Sequence, residues 1–258
     1  DKTQKMVARV TGVPAHKVTG RVKRMGGGFG GKETRSVPFS CAAAVAAHLT
    51  RRPVRLSLPR DYDMGSSGGR HAFLARYTAA VRPACAASGG APRLAALDAE
   101  LFSNGGASLD LSGPVMDRAL LHVDNCYQWP SLRARGVVCR TAQPPHTAFR
   151  GFGGPQGMMI TEAIMDHLAT ALGIDGLALR EANLYAPGAE THFGQPLPEA
   201  AWRVPRALAS LRARTRLDER RAAVATFNGA NRWRKRGLAM LPTKYGINFT
   251  AKFMNQGG

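Results

Sequence analysis

A glycine-rich stretch at residues 24–35, RMGGGFGGKETR, constrains the fold more than any other part of this chain. Its five glycines leave the backbone free to adopt positive φ angles and to approach a ligand closely. An alternating run at 18–25 before it predicts a strand, and an alanine-rich run at 37–51 after it predicts a helix. Such a strand–loop–helix unit presents backbone N–H groups at the helix start, where they suit an anionic or electron-rich ligand.

Two phosphate-binding motifs nearly match this stretch. A P-loop requires Ser or Thr after its lysine, but Glu33 holds that position and its carboxylate would repel a triphosphate. A dinucleotide-binding fingerprint requires an acidic residue about twenty positions further on. The chain is basic and apolar at 52–58, and the next acid after Glu33 is Asp61. A turn that is only flexible would need neither Phe29 nor Glu33, so we interpret the stretch as a binding site.

The length of 258 residues and a hydrophobic content of 44% suit one large domain or two smaller ones with a packed core. No apolar run reaches about eighteen residues, so no transmembrane helix is expected. The first residues resemble neither a signal nor a transit peptide, and without an initial methionine we expect a piece of a longer polypeptide. Widely spaced cysteines favour buried thiols over disulfides or zinc: Cys41, Cys85, Cys126 and Cys139.

A net charge of +19 raises the alternative of a basic module that binds nucleic acid or another anion. The charge is scattered, however, and few aromatic residues lie among the basic ones to stack bases. The densest cluster, RWRKR at 232–236, is interpreted as a solvated helix end or a face that meets another domain. Nucleic acid is therefore not expected as a partner.

Hydrophobic periodicity predicts both strands and helices, which indicates an α+β (mixed α/β) fold. Residues 73–81 and 94–102 are expected to pair as a hairpin with an extended turn. A loop is expected at 61–69. Further strands are predicted at 54–58, 137–140, 238–241 and 247–253. Helices are predicted at 3–10, 155–172, 177–184, 202–211 and 217–233.

A second loop, HTAFRGFGGPQ at 146–156, repeats the logic of the first. A predicted strand precedes it, phenylalanine alternates with glycine inside it, and the clearest helix of the chain follows. Pro155 suits the first turn of that helix. Two sites of the same kind are therefore expected in one protein.

Long motifs of this chain resemble those of the molybdenum-cofactor domain in the xanthine dehydrogenase/oxidase family of molybdenum hydroxylases. They are RVKR at 21–24, GGGFGGKETRS at 26–36, GGRH at 68–71, MDRAL at 116–120, DNCY at 124–127 and TAFRGFGGPQ at 147–156. The likeness extends to PTKYG at 242–246. It implies a first molybdopterin-binding domain at 1–198, followed at 199–258 by linker helices and the incomplete start of a second such domain.

The resemblance also implies a reaction, the oxidative hydroxylation of purines from hypoxanthine to xanthine and from xanthine to urate. The implied cofactor is molybdenum–molybdopterin, with [2Fe-2S] clusters and FAD in the full-length protein. NAD or O₂ would be the terminal electron acceptor, and a homodimer without membrane attachment is expected. The implied location is cytoplasmic, with a peroxisomal location as the alternative.

Three residues resemble the family's substrate-binding residues. Glu33 resembles the glutamate that hydrogen-bonds the purine, and Arg118 the arginine that stabilises charge on the purine oxygen in the transition state. Both are taken as catalytic. Phe152 resembles the ring that stacks on the substrate. Without the resemblance, Glu33 could cap a helix, Arg118 could pair with Asp117 or lie on the surface, and Phe152 could be a core residue.

The two loops resemble the segments that embrace the cofactor. Phe29 and Arg150 would lie near the molybdenum without being direct ligands. The implied cofactor-binding residues are Gly28, Phe29, Gly30, Ala148, Phe149, Arg150 and Gly151. Aldehyde oxidases share the loops but typically lack the acid and the arginine at 33 and 118, so these two residues favour purines, and an aldehyde substrate is the alternative.

The chain also departs from the family pattern. The general-base glutamate, a second stacking phenylalanine and several pterin-binding segments would lie beyond residue 258, and residues 85–91 resemble an insertion in a hairpin. We therefore expect that the isolated piece neither binds the cofactor tightly nor turns over substrate.

Overall fold

The computed structural model describes residues 2–84 and 90–246. Its three strands are β1 (Phe73–Arg82), β2 (Arg93–Gly106) and β3 (Ser131–Arg140). Its α-helices are α1 (Lys2–Thr11), α2 (Val37–Thr50), α3 (Arg60–Ser66), α4 (Ser112–Leu120), α5 (Gly154–Leu172), α6 (Gly176–Ala182), α7 (Val204–Thr215) and α8 (Leu217–Ala230). Short 3₁₀ turns lie at Ala15–Lys17 and Gly31–Glu33. This mixture confirms the expected α+β class.

The strands form one sheet in the order β1-β2-β3. The central strand β2 is the most buried of the three, and its fully buried side chains recur at every second position from Leu97 through Ala99 and Leu101 to Ser103. This alternation follows from the two-residue period of a strand. The predicted pairing of 73–81 with 94–102 is confirmed, because β1 and β2 are neighbours.

The chain folds into two compact units. The first unit contains the described part of Asp1–Arg76 together with Glu100–Leu120 and Arg135–Pro155. The second contains Tyr77–Ala99, Leu121–Ala134 and the described part of Gln156–Gly258. The sequence predicts a single domain boundary at residue 198, whereas these two units alternate along the chain. The boundary at 198 therefore stays a prediction.

In the first unit, α1 packs against α2. The Gln4 side chain on α1 donates hydrogen bonds of 3.0 Å to the carbonyl oxygens of Ala15 and Val18, which holds the chain that leads into the glycine-rich stretch. Helix α2 ends at Thr50, where Arg51 adopts a left-handed conformation with φ of +53°. Both glycine loops and α4 belong to this unit.

In the second unit, a small core joins α6, α7 and α8 to the chain near residue 240 through Leu177, Leu208, Leu217 and Met240. A second group is polar and surrounds the fully buried Asp124. Asp124 accepts a hydrogen bond of 2.8 Å from the Tyr185 hydroxyl and pairs with the ammonium of Lys244. Since a buried carboxylate is costly without partners, these contacts tie the segment at 244 to the interior of the unit.

Several predicted elements differ from the structure. No strand forms at 18–25, 54–58 or 238–241. Val22 is 80% and Met25 62% exposed, so the alternation in the first run has no buried face, and a strand also needs a partner that local sequence does not show. The expected loop at 61–69 begins with α3, whose first turn carries Asp61 and Asp63. The strand predicted at 247–253 lies outside the described residues.

The helical predictions are confirmed, with ends shifted by a few residues. Cys126 is buried as expected, Cys41 and Cys139 are half-buried free thiols, and Cys85 lies outside the described residues, as does most of the insertion predicted at 85–91. Among the helices that the structure describes, none combines the length and apolar character needed to cross a bilayer.

Candidate functional site

The two glycine loops share a Phe-Gly pair in which both residues have positive φ. In the first, Phe29 has φ of +48° and Gly30 of +98°; in the second, Phe152 has φ of +51° and Gly153 of +96°. Positive φ is uncommon for a bulky residue and costs about 1–3 kcal/mol, so it persists only where the surroundings enforce it. Two phenylalanines held in this way are typical of a functional site.

The two loops contact each other directly. The backbone N–H of Arg150 donates a hydrogen bond of 2.9 Å to the carbonyl oxygen of Phe29. A Cβ atom placed on Gly30 would lie 2.5 Å from the carbonyl oxygen of Ala148, closer than van der Waals contact allows. Glycine at 30 is therefore required by the approach of the second loop, and residues 28–30 and 148–151 form one surface.

The second loop also lies against α4. A Cβ atom on Gly153 would lie 2.0 Å from the carbonyl oxygen of Val115 and 3.1 Å from the nitrogen of Ala119. Arg118 lies in the same turn of α4 and is only 6% exposed, which excludes the alternative of a surface charge. Phe152, next to Gly153, is half-buried. The structure thus brings the second loop and the helix of Arg118 together.

Glu33 ends the 3₁₀ turn Gly31–Glu33, just beyond the first loop. Its side chain is 50% exposed and its carboxylate lies 3.6 Å from the ammonium of Lys2. Helix α2 begins four residues later and has no acid in its first turn, so Glu33 does not cap it. The next residue, Thr34, donates a hydrogen bond of 3.1 Å to the carboxylate of Asp110, just before α4.

Residues 68–71 form a third segment of the site, for which the sequence motif GGRH predicts no role by itself. The Arg70 guanidinium donates a hydrogen bond of 2.7 Å to the carbonyl oxygen of Arg150 and lies 4.8 Å from the centre of the Phe149 ring. A Cβ on Gly68 would lie 2.0 Å from the carbonyl oxygen of Pro145. The signal that could have found this segment is paired glycines followed by an arginine.

His71 and Ser112 are a buried pair at the start of α4. The His71 Nε2 and the Ser112 hydroxyl lie 2.7 Å apart, and both residues are buried. Burial, together with the nearby His146, lowers the pKa of His71 from 6.5 to about 4, although the charge of Asp110 opposes the change. His71 is therefore neutral at neutral pH and holds the first residue of α4 through a hydrogen bond that carries no charge.

The site offers two kinds of contact to a bound group. Its glycines leave backbone atoms accessible between Phe29, which is 60% exposed, and Phe149, which is also exposed. The positively charged residues Arg70 and Arg150 are exposed beside them. Within residues 2–84 and 90–246, no cluster of three or more His, Cys, Asp or Glu side chains is placed to hold a metal ion.

Comparison with known proteins shows close relatives along the whole chain. It is 48% identical over 257 residues to a xanthine dehydrogenase/oxidase from Felis catus, covering 100% of this chain and 19% of the relative. It is 47% identical over 256 residues to a nicotinate hydroxylase from Emericella nidulans, covering 99% of this chain and 18% of that protein. The chain thus spans about a fifth of the length of these curated relatives.

Solved structures share the fold. The crystal structure of the aldehyde oxidoreductase from Desulfovibrio desulfuricans matches 76% of this chain and 20% of that chain, with a TM-score of 0.65 and 26% sequence identity. The two proteins therefore share their backbone fold over about three quarters of this chain.

The observed contacts fit a molybdopterin cofactor, which is an anionic organic group. Because the glycines have no Cβ, the backbone N–H groups of the loops can act as neutral hydrogen-bond donors to its phosphate. The exposed guanidinium groups add positive charge for the same phosphate. Residues 1–184, well over half of the sequence, match the model of the molybdopterin cofactor-binding domain. This chain therefore belongs to the molybdopterin cofactor-binding domain family.

Proposed function

We propose that this chain is the substrate-facing part of a longer molybdenum-dependent oxidoreductase that hydroxylates purines, from hypoxanthine to xanthine and from xanthine to urate. The observation that carries the proposal is the direct contact of the two glycine loops beside the helix that buries Arg118. Identity of 48% to a xanthine dehydrogenase/oxidase supports the same reaction.

The molybdenum cofactor, when bound, supplies the redox chemistry, and [2Fe-2S] clusters and FAD elsewhere in the full-length protein would pass the electrons to NAD or O₂. The residues of this chain that would hold the cofactor are those of the joined loops: Gly28, Phe29, Gly30, Ala148, Phe149, Arg150 and Gly151. The Phe29 carbonyl oxygen already accepts a hydrogen bond from Arg150. The role of this bond would be to keep the two loops at a fixed spacing around the cofactor.

Arg118 would stabilise negative charge that develops on the purine oxygen. Its guanidinium carries a positive charge, and the residue is almost fully buried, where water screens the field of that charge weakly. A fixed charge in such a place stabilises a transition state more than a ground state when the substrate oxygen gains charge during the reaction. Phe152, half-buried in the adjacent loop, would stack on the ring of the substrate.

Glu33 would hydrogen-bond the purine. Its present partner is Lys2, at 3.6 Å in a pair whose side chains are both about half exposed. Exposed pairs of this kind are worth about 1 kcal/mol or less, so a purine that offers ring N–H donors could displace Lys2 without a large cost. Glu33 and Arg118 together would match a purine ring that donates N–H hydrogen bonds at one edge and develops negative charge on an oxygen at another.

The alternative substrates are other heterocycles and aldehydes. Identity to the nicotinate hydroxylase is 47%, against 48% to the xanthine dehydrogenase/oxidase, so overall similarity does not separate the two substrates. The structural relative named an aldehyde oxidoreductase supports the aldehyde alternative for the scaffold as a whole. The choice of purine therefore depends on Glu33 and Arg118. We further propose a cytoplasmic homodimer, with a peroxisomal location as the alternative.

The test uses the full-length protein that contains this chain. Glu33→Gln and Arg118→Met should each lower kcat/KM for xanthine about 100-fold or more, the scale for loss of one transition-state contact, while oxidation of an aldehyde is retained. Asp117→Asn, on the exposed side of α4, is the matched control and should leave both activities unchanged. A wild-type protein that is loaded with molybdenum but does not oxidise purines would contradict the proposal.

A further inference from the structure

We propose that Thr34, Asp110 and Thr147 are positioning residues that set the segment of Glu33 against the helix of Arg118. The inference rests on the proposed function, in which both residues face one substrate. The three positioning residues come from different segments of the first unit: the exit of the first glycine loop, the turn before α4 and the entrance of the second glycine loop. Together we call them the Thr34–Asp110–Thr147 junction.

The hydrogen bonds of the junction have a defined direction. The Thr34 hydroxyl lies 3.1 Å from the Asp110 carboxylate and 3.4 Å from the Thr147 hydroxyl. An ionised carboxylate only accepts, so the single hydroxyl proton of Thr34 goes to Asp110. The Thr147 hydroxyl must then donate to Thr34 in a longer bond. Thr34 is thus the centre of the junction, since only its hydroxyl contacts both of the others.

Asp110 lies where the chain turns into α4. Its φ is +40°, a left-handed conformation that Asp tolerates better than most residues but that still carries strain. Ser112, two residues later, begins α4 and is held by His71. A side-chain contact at this turn therefore acts on the position of the whole helix, including the buried Arg118.

Thr34 acts on Glu33 because the two residues are adjacent in the chain. Its carbonyl oxygen also accepts a hydrogen bond of 3.1 Å from Val37 at the start of α2, so its backbone has little freedom. Thr147 is buried, its N–H donates to the carbonyl oxygen of Gly69 at 3.2 Å, and it precedes Ala148, which packs on Gly30. The junction therefore connects the two glycine loops with each other and with residues 68–71.

Loss of the junction should misplace Glu33 relative to Arg118 without removing either group. A substrate that must contact both would then bind and react less well, because displacements of about 1 Å can cost about 100-fold in rate. We expect Thr34→Val, which keeps the shape and removes the hydroxyl, to raise KM for xanthine and to lower kcat, with kcat/KM reduced about 10-fold or more. Thr34→Ser keeps the hydroxyl, so its kcat/KM should stay within about threefold of the wild-type value.

The experiment measures molybdenum content, kcat and KM in the full-length protein. Thr50→Val is the matched control, since Thr50 donates only to the Ala46 carbonyl oxygen within α2; it should change nothing. Combining Thr34→Val with Glu33→Gln tests the mechanism. If Thr34 acts through Glu33, the double variant should be no worse than Glu33→Gln alone.

Three outcomes decide the matter. The positioning role would be overturned, and a general structural role shown, if the losses of kcat/KM from Thr34→Val and Glu33→Gln multiply in the double variant. The same conclusion would follow if both Thr34→Val and Thr34→Ser lose molybdenum. Either outcome would leave the proposed function standing. If Thr34→Val does not accumulate, Asp110→Asn carries the test: it keeps the tolerance for positive φ, weakens the acceptor, and should be non-additive with Glu33→Gln in the same way. A molybdenum-loaded wild type without purine turnover would overturn the proposed function and this inference with it.

Discussion

The backbone N–H of Arg150 donates a hydrogen bond of 2.9 Å to the carbonyl oxygen of Phe29, although the two residues belong to glycine loops far apart in the sequence. Gly30 and Ala148 flank this bond and approach too closely for a Cβ on Gly30. The two loops therefore form a single surface, and a change to either backbone should be felt by both.

Gly30→Ala should separate the loops. The new methyl would lie 2.5 Å from the Ala148 carbonyl oxygen, and alanine would have to adopt a φ of +98°. Since neither backbone can yield cheaply, we expect molybdenum content in the purified full-length protein to fall about fivefold or more, on the basis that the strain costs about 1–3 kcal/mol. The measurement is metal content per protein chain.

Gly26→Ala is the matched control for that variant. A Cβ on Gly26 meets nothing within 4 Å, and its φ is not in the left-handed region. Molybdenum content should stay at the wild-type level. Equal loss of metal in both variants would show that the glycine-rich stretch needs general flexibility rather than the contact between Gly30 and Ala148.

The stability of the region around α4 should fall as the pH is lowered from 7.5 to 5. Burial lowers the pKa of His71 from 6.5 to about 4, so between these values the unfolded chain takes up a proton that the folded chain does not. The contribution is present above pH 6.5 and is lost as the pH falls towards 4. At pH 5 the expected loss is about 2 kcal/mol.

Amide hydrogen exchange along α4, corrected for the intrinsic rate at each pH, measures this loss. His71→Asn removes the titrating group and keeps a side chain that can hydrogen-bond Ser112. The variant should show a smaller dependence on pH than the wild type. Equal slopes in the two proteins would mean that another group controls the stability of this helix.

Cys126 should resist alkylation in the folded protein. Burial raises its pKa to about 12, with Asp124 and Glu162 adding to the effect and Lys244 opposing it. At pH 8 only about one thiol in 10⁴ would be ionised, and the side chain is fully buried. Iodoacetamide followed by peptide mass spectrometry should label the half-buried Cys139 first, and Cys126 only after denaturation. Labelling of both at one rate in the native protein would contradict this.

Removal of the Arg180 side chain should destabilise the second unit strongly. Its guanidinium donates bonds of 2.7 Å to Glu162 and to Asp166, and Glu162 also accepts a bond of 2.6 Å from the Tyr127 hydroxyl. Arg180→Met would leave the mostly buried Glu162 carboxylate without its counter-charge, which typically costs about 3–5 kcal/mol. The free energy of local opening, from hydrogen exchange along α5, measures the cost.

Two variants separate charge from packing in that prediction. Arg135 pairs with Glu100 at 2.6 Å, but their side chains are 62% and 38% exposed, so water screens the pair and Arg135→Met should cost less than about 1 kcal/mol. Adding Glu162→Gln to Arg180→Met removes the uncompensated charge and should recover part of the loss. A double variant that is worse than Arg180→Met would show that packing dominates.

Sequence patterns predicted helices well because a helix is bonded to itself. The apolar residues at 160, 164, 168 and 172 recur with the helical period, and α5 covers all of them. Strands were less predictable, because the run at 18–25 has the right alternation but finds no neighbouring strand in the described structure. Helix α3 was missed in a Gly/Ser-rich segment, although Pro59 followed by Asp61 and Asp63 is a recognised helix start.

The sequence by itself determined the α+β class and the family, since long motifs of glycine and phenylalanine are read without any contact between them. Only the tertiary structure decided that Phe29 meets Arg150, that Gly153 lies against the helix of Arg118 and that Thr34 reaches Asp110. The physical reason is range. Local backbone preferences depend on neighbouring residues, whereas these contacts join residues far apart in the chain and exist only once the elements between them have packed.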